Sequence, residues 1–360
     1  MAPSLVSITI ATSTFPTAMH DRDADRMMEL LFALGTAVRD RVIQARDRAT
    51  SIDELAGVAG VTPADTIYRV DRVSEDAILT WFAINWPAEW PVELVMEGRE
   101  DAGATTFPLG TPVVQTRWKC ILDPIDGTRN LMYDKRAAWA LAAIAPQRGA
   151  ANELSDLELA VMTELPTSKA GRADEIGAVR GRGRAGLVAR SVDLQSGART
   201  PLRLQPSLAT GFDHGFASFV RFFPEGKTFT AQLETELWER LRASGGGRMP
   251  VVFDDQYIST GGQIYELLAG HDRMLGDLRP LVLPHVGAAA ALACHPYDIC
   301  TALILEEAGG VIEDPRGGPL RAPLDTTTPV AWIGYANRTL AELVRPHLDF
   351  ILRRHQLLGA

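Results

Sequence analysis

The chain has 360 residues, enough for one large domain or two smaller ones with ample core. Apolar residues make up 46% and charged residues 22%, an ordinary balance that predicts a folded, soluble protein. A formal charge of −9 argues against a general nucleic-acid binder, yet leaves room for a phosphorylated ligand where metal ions supply positive charge locally.

The N-terminal stretch "MAPSLVSITIATSTFPTAM" has neither a basic n-region nor a long apolar run, so no signal peptide is expected. No segment reaches the roughly 18 apolar residues of a membrane span, so no membrane partner is expected. The three cysteines, Cys120, Cys294 and Cys300, lack metal-ligand spacing and fit a reducing, cytoplasmic setting.

From Arg22 to Ala45 the pattern is helical: Met27, Leu30, Leu31, Leu34, Val38 and Val42 recur at i, i+3 and i+4. "SIDELAG" predicts a short helix, with Ser51 and Glu54 as a capping box and Gly57 as its stop. A further helix is predicted from near Ser74. "VELVM" (92–96) reads as a buried strand ending at Glu97, and "TRWKCIL" (116–122) as another ending at Asp123. "AAWALAAIA" (137–145) is a third strand, although its alanines leave a helix open, and "LELAVMTEL" is a fourth.

Residues 166–226 are the least regular part. "GAVRGRGRAGLVAR" places Arg180, Arg182, Arg184 and Arg190 among glycines, which reads as a hairpin with solvated basic side chains in preference to a phosphate site. Beyond it, "AQLETELWERLRA" is an amphipathic helix with Leu233, Leu237 and Leu241 on one face. "GGQIYELLAGHDRM" contains another helix ending near Gly270. "YDICTALILEEAGGVIED" reads as a helix from Asp298, a stop at Gly309 and Gly310, and a strand. "PVAWIGYAN" is a strand followed by a last helix from Thr339. The mixed order of strands and helices predicts α+β or layered α/β architecture.

The chemistry concentrates in "ILDPIDGTRN", residues 121–130. Asp123 and Asp126 stand three apart at a strand exit that Pro124 sharpens. Gly127 permits a ligand to approach the backbone, and a helix starting there would point N–H groups at an anion. Two carboxylates for a hard cation beside donors for a phosphate are the joint needs of metal-assisted phosphoryl transfer to water. Two aspartates alone cannot build that site. Glu97, at the end of a strand, and Asp298, at the start of a helix, are the further carboxylates; taken alone, Asp298 reads as an ordinary helix N-cap and Glu97 as a surface residue.

"DPIDGTRN" matches D-P-[IL]-D-G-[ST]-x-N and so resembles the inositol monophosphatase-like family, within the superfamily that also holds fructose-1,6-bisphosphatases and phosphoadenosine-phosphate phosphatases. Asp71 in "YRVDRVSE", Glu97 in "VMEG" and Asp298 in "YDICTALILEEAGG" follow the family's order. The resemblance implies an α/β fold layered αβαβα, with two closely packed subdomains, 15–200 and 201–360, the second carrying Asp298, and the site at their junction. It implies Mg²⁺ held by Glu97, Asp123, Asp126, Asp298 and the carbonyl of Ile125. Gly127 and Thr128 would give backbone N–H groups to the phosphate, with Asp298 also on the substrate side. The Thr128 hydroxyl, paired with Asp71, would orient and deprotonate the attacking water. The implied substrate is a small-molecule phosphate monoester of inositol or a related polyol, and a homodimer is compatible with the resemblance.

Three departures stand out. Tyr297 occupies the family's Trp position, Gly98 replaces the second acid of its double Glu, and the segment from Asp298 to the paired glycines is one residue short. The loss of one residue rotates the far end of a helix by about 100°. Rival motifs fare worse. A haloacid dehalogenase-like phosphatase needs an aspartate nucleophile where Pro124 stands; no P-loop and no EF-hand loop is present. The alternatives that stay open are a non-catalytic or regulatory member of the fold, and a phosphatase of fructose bisphosphate, histidinol phosphate or phosphoadenosine phosphate. Minor candidates near the site are His295, Gln263, Tyr133, Lys135 and Arg136, with a surface or packing role the plainer reading of each.

Overall fold

The computed structural model describes residues 19–48, 58–61, 66–99, 103–245, 247–288 and 292–358, with backbone only for the described part of 58–74. The predicted helix at "SIDELAG" lies outside these residues.

The first helix, α1 (Asp21–Arg48), buries the predicted stripe of Met27, Leu31, Leu34, Val38 and Val42. A short antiparallel pair, β1 (Val58–Val61) and β2 (Thr66–Tyr68), leads into α2 (Arg69–Asn85). Next come β3 (Val92–Met96), β4 (Thr105–Phe107) and β5 (Trp118–Asp126), and after a short helix α3 (Thr128–Met132) the strands β6 (Ala138–Pro146) and β7 (Leu159–Leu165). With β8 (Arg172–Val179), β9 (Val188–Asp193) and β10 (Arg199–Pro201) these strands form one sheet, ordered β10-β9-β8-β7-β6-β5-β3-β4. All its pairings are antiparallel except β3 with β5.

The second sheet uses β11 (Gly215–Phe219), β12 (Val252–Phe253), β13 (Asp272–Asp277), β14 (Val311–Glu313) and β15 (Trp332–Tyr335), ordered β12-β11-β13-β15-β14. Here β11 runs parallel to both β12 and β13. Between and around these strands lie α4 (Lys227–Ser244), α5 (Thr260–Leu268), α6 (Arg279–His285), α7 (Ala302–Glu307) and α8 (Arg338–Arg354).

Three apolar clusters separate five layers. One joins α1 and α2 to the near face of the large sheet. The second places Ile264, Leu267 and Leu268 of α5 and Leu303, Ile304 and Leu305 of α7 between the two sheets. The third packs α4 and α8 on the outer face of the small sheet through Leu233, Leu237, Leu340 and Val344. The result is a layered α/β fold in the order αβαβα.

β6 shows why the pattern folds this way. Ala138, Ala140, Ala142 and Ile144 face the first cluster, and Trp139, Leu141, Ala143 and Ala145 face the second. Side chains alternate across a strand, so an apolar run with no polar face suits a strand covered by helices on both sides. The helical alternative for this alanine-rich run is thus overridden by burial of both faces.

Two boundaries differ from expectation. The strand predicted to end at Asp123 continues to Asp126 through a bulge: Asp123 pairs with Leu141 and Asp126 with Trp139, three steps on one strand against two on the other. The helix expected from Asp298 begins at Ala302, after turns. The arginine-rich segment is the β8–β9 hairpin, but its side chains are paired rather than solvated: Arg190 bridges Glu175 and Glu29, and Arg182 reaches Asp21 and Asp25.

Candidate functional site

Two pairs of parallel strands end at one place. β3 finishes immediately before Glu97, and its parallel neighbour β5 finishes on Asp126. From the other sheet, β11 leads to Phe222 and Phe223, and its parallel neighbour β13 leads to Arg279. Crevices beyond the carboxyl ends of parallel strands are the usual ligand sites of α/β sheets. A cleft of about 550 Å³, its open mouth included, is lined there by Glu97, Asp123, Ile125, Asp126, Thr128 and Asp298, among others.

The bulge in β5 is what brings both motif aspartates to the cleft. Residues three apart on a regular strand point to opposite faces. The extra residue after Pro124 re-aims Asp126, a common use of bulges beside sites. Asp123 Oδ1 accepts the Ile125 N–H at 2.9 Å. Carboxylate oxygens of Asp123, Asp126 and Asp298 then lie within 4.8 Å of one another, the first two buried.

Such a cluster is electrostatically costly. Burial, with the charges of Asp126 and Asp298 adding to it, holds the Asp123 carboxyl well above the usual range; its contacts with the Ile125 N–H and Glu97 oppose this. Burial and Asp298 push Asp126 up to about 7. Asp126 is nonetheless well provided with donors. It accepts Ser259 Oγ at 2.7 Å, the Thr260 N–H at 3.1 Å and the Gly261 N–H at 2.5 Å. These come from the N-terminus of α5, whose N-cap Ser259 also accepts the Gly262 N–H at 2.9 Å.

Two glycines permit this proximity. A Cβ on Gly261 would stand 2.7 Å from Leu141 Cδ2 and 3.0 Å from Asp126 Oδ2. Gly127 has φ +92°, and a Cβ there would meet Ser259 Cβ at 2.9 Å.

Glu97 and Asp298 line the same cleft as the two motif aspartates, together with Ile125, Gly127 and Thr128. The Ile125 carbonyl accepts Thr128 Oγ1 at 2.9 Å and keeps its second lone pair. Asp71 is in the first turn of α2, but its side chain lies outside the described residues. Asp298 is not a helix N-cap; its Oδ2 accepts the His295 N–H at 2.6 Å, which fixes the turn that presents it. Tyr297, at the family's Trp position, is buried and stacked on His295 with centroids 5.4 Å apart. Gly98 has the carboxylate of Glu75, from α2, against the position its Cβ would take.

Of the minor candidates, His295 supports the Asp298 turn and the others fall outside the cleft lining. Gln263 is buried and donates to the Tyr257 carbonyl at 2.9 Å. Arg136 pairs with Asp255 at 2.7 Å and covers the Tyr257 ring. Tyr133 is exposed. Sequence reasoning missed Ser259 and Thr260 at the start of α5, although a Ser three residues before Gly262 was a legible N-cap signal. It also missed Arg129, Phe222, Phe223, Arg279 and Leu292, which are part of the cleft's lining.

The donor set fits a hard divalent cation. Oxygen ligands alone, buried and mutually repelling, need positive charge to stay ionised near neutral pH.

No family model matches the sequence, and no curated protein sequence does. Solved structures do match in three dimensions. Extragenic suppressor protein SuhB from Bartonella henselae superposes with a TM-score of 0.58 at 15% identity, covering 90% of this chain and 98% of that one. Thermotoga maritima IMPase gives 0.57 at 16% identity, covering 92% and 99%. Fructose-1,6-bisphosphatase from Leishmania major gives 0.60 at 12% identity, covering 93% and 100%. The chain therefore has the layered α/β fold of the inositol monophosphatase and fructose-1,6-bisphosphatase structures.

Proposed function

We propose that the protein is a Mg²⁺-dependent phosphoric monoester hydrolase that transfers a phosphoryl group to water without a phosphoenzyme. The observation that carries this reading is the cluster of the buried Asp123 and Asp126 carboxylates with Asp298, and Glu97 beside it, at the start of a Gly-Thr turn. Neighbours of the same fold are named as phosphatases, which supports it.

In this reading Glu97, Asp123, Asp126, Asp298 and the Ile125 carbonyl hold the cation. When bound, the cation neutralises charge on the phosphate and acidifies a water. The chain's own residues do the rest. The backbone N–H groups of Gly127 and Thr128 orient the phosphate. The Thr128 hydroxyl positions the attacking water. A threonine hydroxyl is a weak base, so its proton needs a carboxylate acceptor, and Asp71 is assigned that role. Ser259 and the first N–H groups of α5 keep Asp126 aimed into the cleft. No helix among the described residues is long and apolar enough to cross a membrane, and the three cysteines are free and buried, which supports a reducing, cytoplasmic setting.

The test is phosphate release from a panel of monoesters with Mg²⁺, repeated with EDTA. Release that EDTA abolishes is expected. Absence of release from every ester, or release indifferent to EDTA, would refute the reading. The resemblance implies inositol or a related polyol as the alcohol; the pocket wall bears on that half.

A further inference from the structure

Beside the carboxylates, the cleft is lined by Phe222, Phe223, Ile258, Leu292 and Ala293, with Arg129 and Arg279 among them. Several of its polar groups are already engaged. Ser259 donates its hydroxyl to Asp126 and accepts the Gly262 N–H. Arg279 is clamped: its Nε donates to Asp277 Oδ1 at 2.9 Å, its Nη2 to Oδ2 at 2.6 Å, and its Nη1 to the Leu292 carbonyl. That clamp also occupies Asp277, the acid at the carboxyl end of β13. Besides Glu97, Asp123, Asp126 and Asp298, the described lining holds no further carboxylate and no side-chain amide for the hydroxyl array of a polyol; its hydroxyls are those of Thr128, Ser259 and Thr260.

What it offers is aromatic. Phe222 and Phe223 are half-buried at the rim, edge to face with centroids 6.3 Å apart. The Arg279 guanidinium lies 5.2 Å from the Phe222 ring and 5.7 Å from the Phe223 ring, and Arg129 lies 5.8 Å from Phe223. An arginine held through its Nε and both Nη groups and lying over two rings acts as a brace. It holds two aromatic faces where a bound molecule would cover them, and flat rings stack well on such faces.

We infer that the alcohol half of the substrate carries a planar aromatic or heteroaromatic ring, and that Phe222 and Phe223 are its specificity-determining residues. The inference rests on the reading of this cleft as a phosphatase site. It replaces polyol recognition with stacking as the source of selectivity.

The test uses phosphonates, which bind without turning over. The full chain in saturating Mg²⁺ is titrated calorimetrically with methylphosphonate, cyclohexylmethylphosphonate and benzylphosphonate. Benzylphosphonate should bind roughly tenfold more tightly than methylphosphonate and several-fold more tightly than its saturated counterpart, the size expected for one stacked ring. In the Phe222→Leu/Phe223→Leu double variant, whose folding is checked by thermal melting, the benzyl-to-methyl ratio should collapse toward one. Three phosphonates bound within about twofold of each other, or a ratio that survives the double variant, would overturn the inference. If no ester is hydrolysed but the benzyl preference and its loss are seen, the hydrolase reading fails and the ring site stands. If no phosphonate binds at all, both fail.

Discussion

Asp123 and Asp126 lie on one strand, yet share a pocket only because Pro124 and Ile125 interrupt its register. Asp126 is then held by Ser259, so one hydroxyl both caps α5 and orients a carboxylate of the acidic cluster. Ser259→Ala is expected to lower stability by about 1–2 kcal/mol, the usual cost of a lost cap with a charged partner. It should also raise the Mg²⁺ concentration needed for half-maximal phosphate release. Chemical denaturation and a Mg²⁺ titration of activity check both; an unchanged Mg²⁺ requirement would leave Ser259 as a cap alone. At this scale the sequence was most informative where residues are consecutive. "DPIDGTRN" displays its chemistry in a row. Phe222, Phe223 and Arg279 do not, because their meeting depends on strands of five and six residues that pair only in the folded sheet.

α5 links the carboxylate cluster to a second acidic region. Its N-terminus grips Asp126, while Tyr265 near its other end donates to Asp174 at 2.9 Å, and the Asp174 N–H donates to Glu164 Oε2 at 2.9 Å. Burial pushes Glu164 on β7 up to about 7, against the opposing hydrogen bond from the Asp174 N–H. A carboxyl whose pKa rises on folding favours the folded state while it is protonated. That stability is complete below the unfolded pKa near 4.5 and is lost as pH rises through about 7. Asp272, also pushed up to about 7 by burial, acts in the same direction. The protein should therefore lose stability between about pH 5 and 8, with Glu164 contributing roughly 3 kcal/mol. Glu164→Gln should flatten that slope in urea denaturation series at several pH values; an equally steep slope would contradict the assignment. Element identity was mostly legible in the sequence, since both the two-residue and the 3.6-residue periods are strong. The alanine run of β6 shows the limit: local propensity left helix open, and only cover on both faces selects a strand.

On the scale of the whole molecule, two sheets deliver the carboxyl ends of parallel strands to one cleft, one bringing acids and the other aromatic rings and arginines. The acids were readable in the sequence because their residue types announce their chemistry. The second sheet's contribution was not, because phenylalanines in an irregular stretch look like any other core. The central claim is that a hard cation balances the clustered negative charge of Glu97, Asp123, Asp126 and Asp298, the middle two of them buried. Its most direct test is a calorimetric titration of Mg²⁺ into the full chain near pH 6.5, run in two buffers of different ionisation enthalpy, for wild type and Asp126→Asn. Raised carboxyl pKa values mean that binding must expel protons. The account predicts saturable Mg²⁺ binding with proton release in the wild type, weakened at least about tenfold in a folded Asp126→Asn variant. Wild-type protein that binds no Mg²⁺, or a variant that binds it equally well, would contradict it.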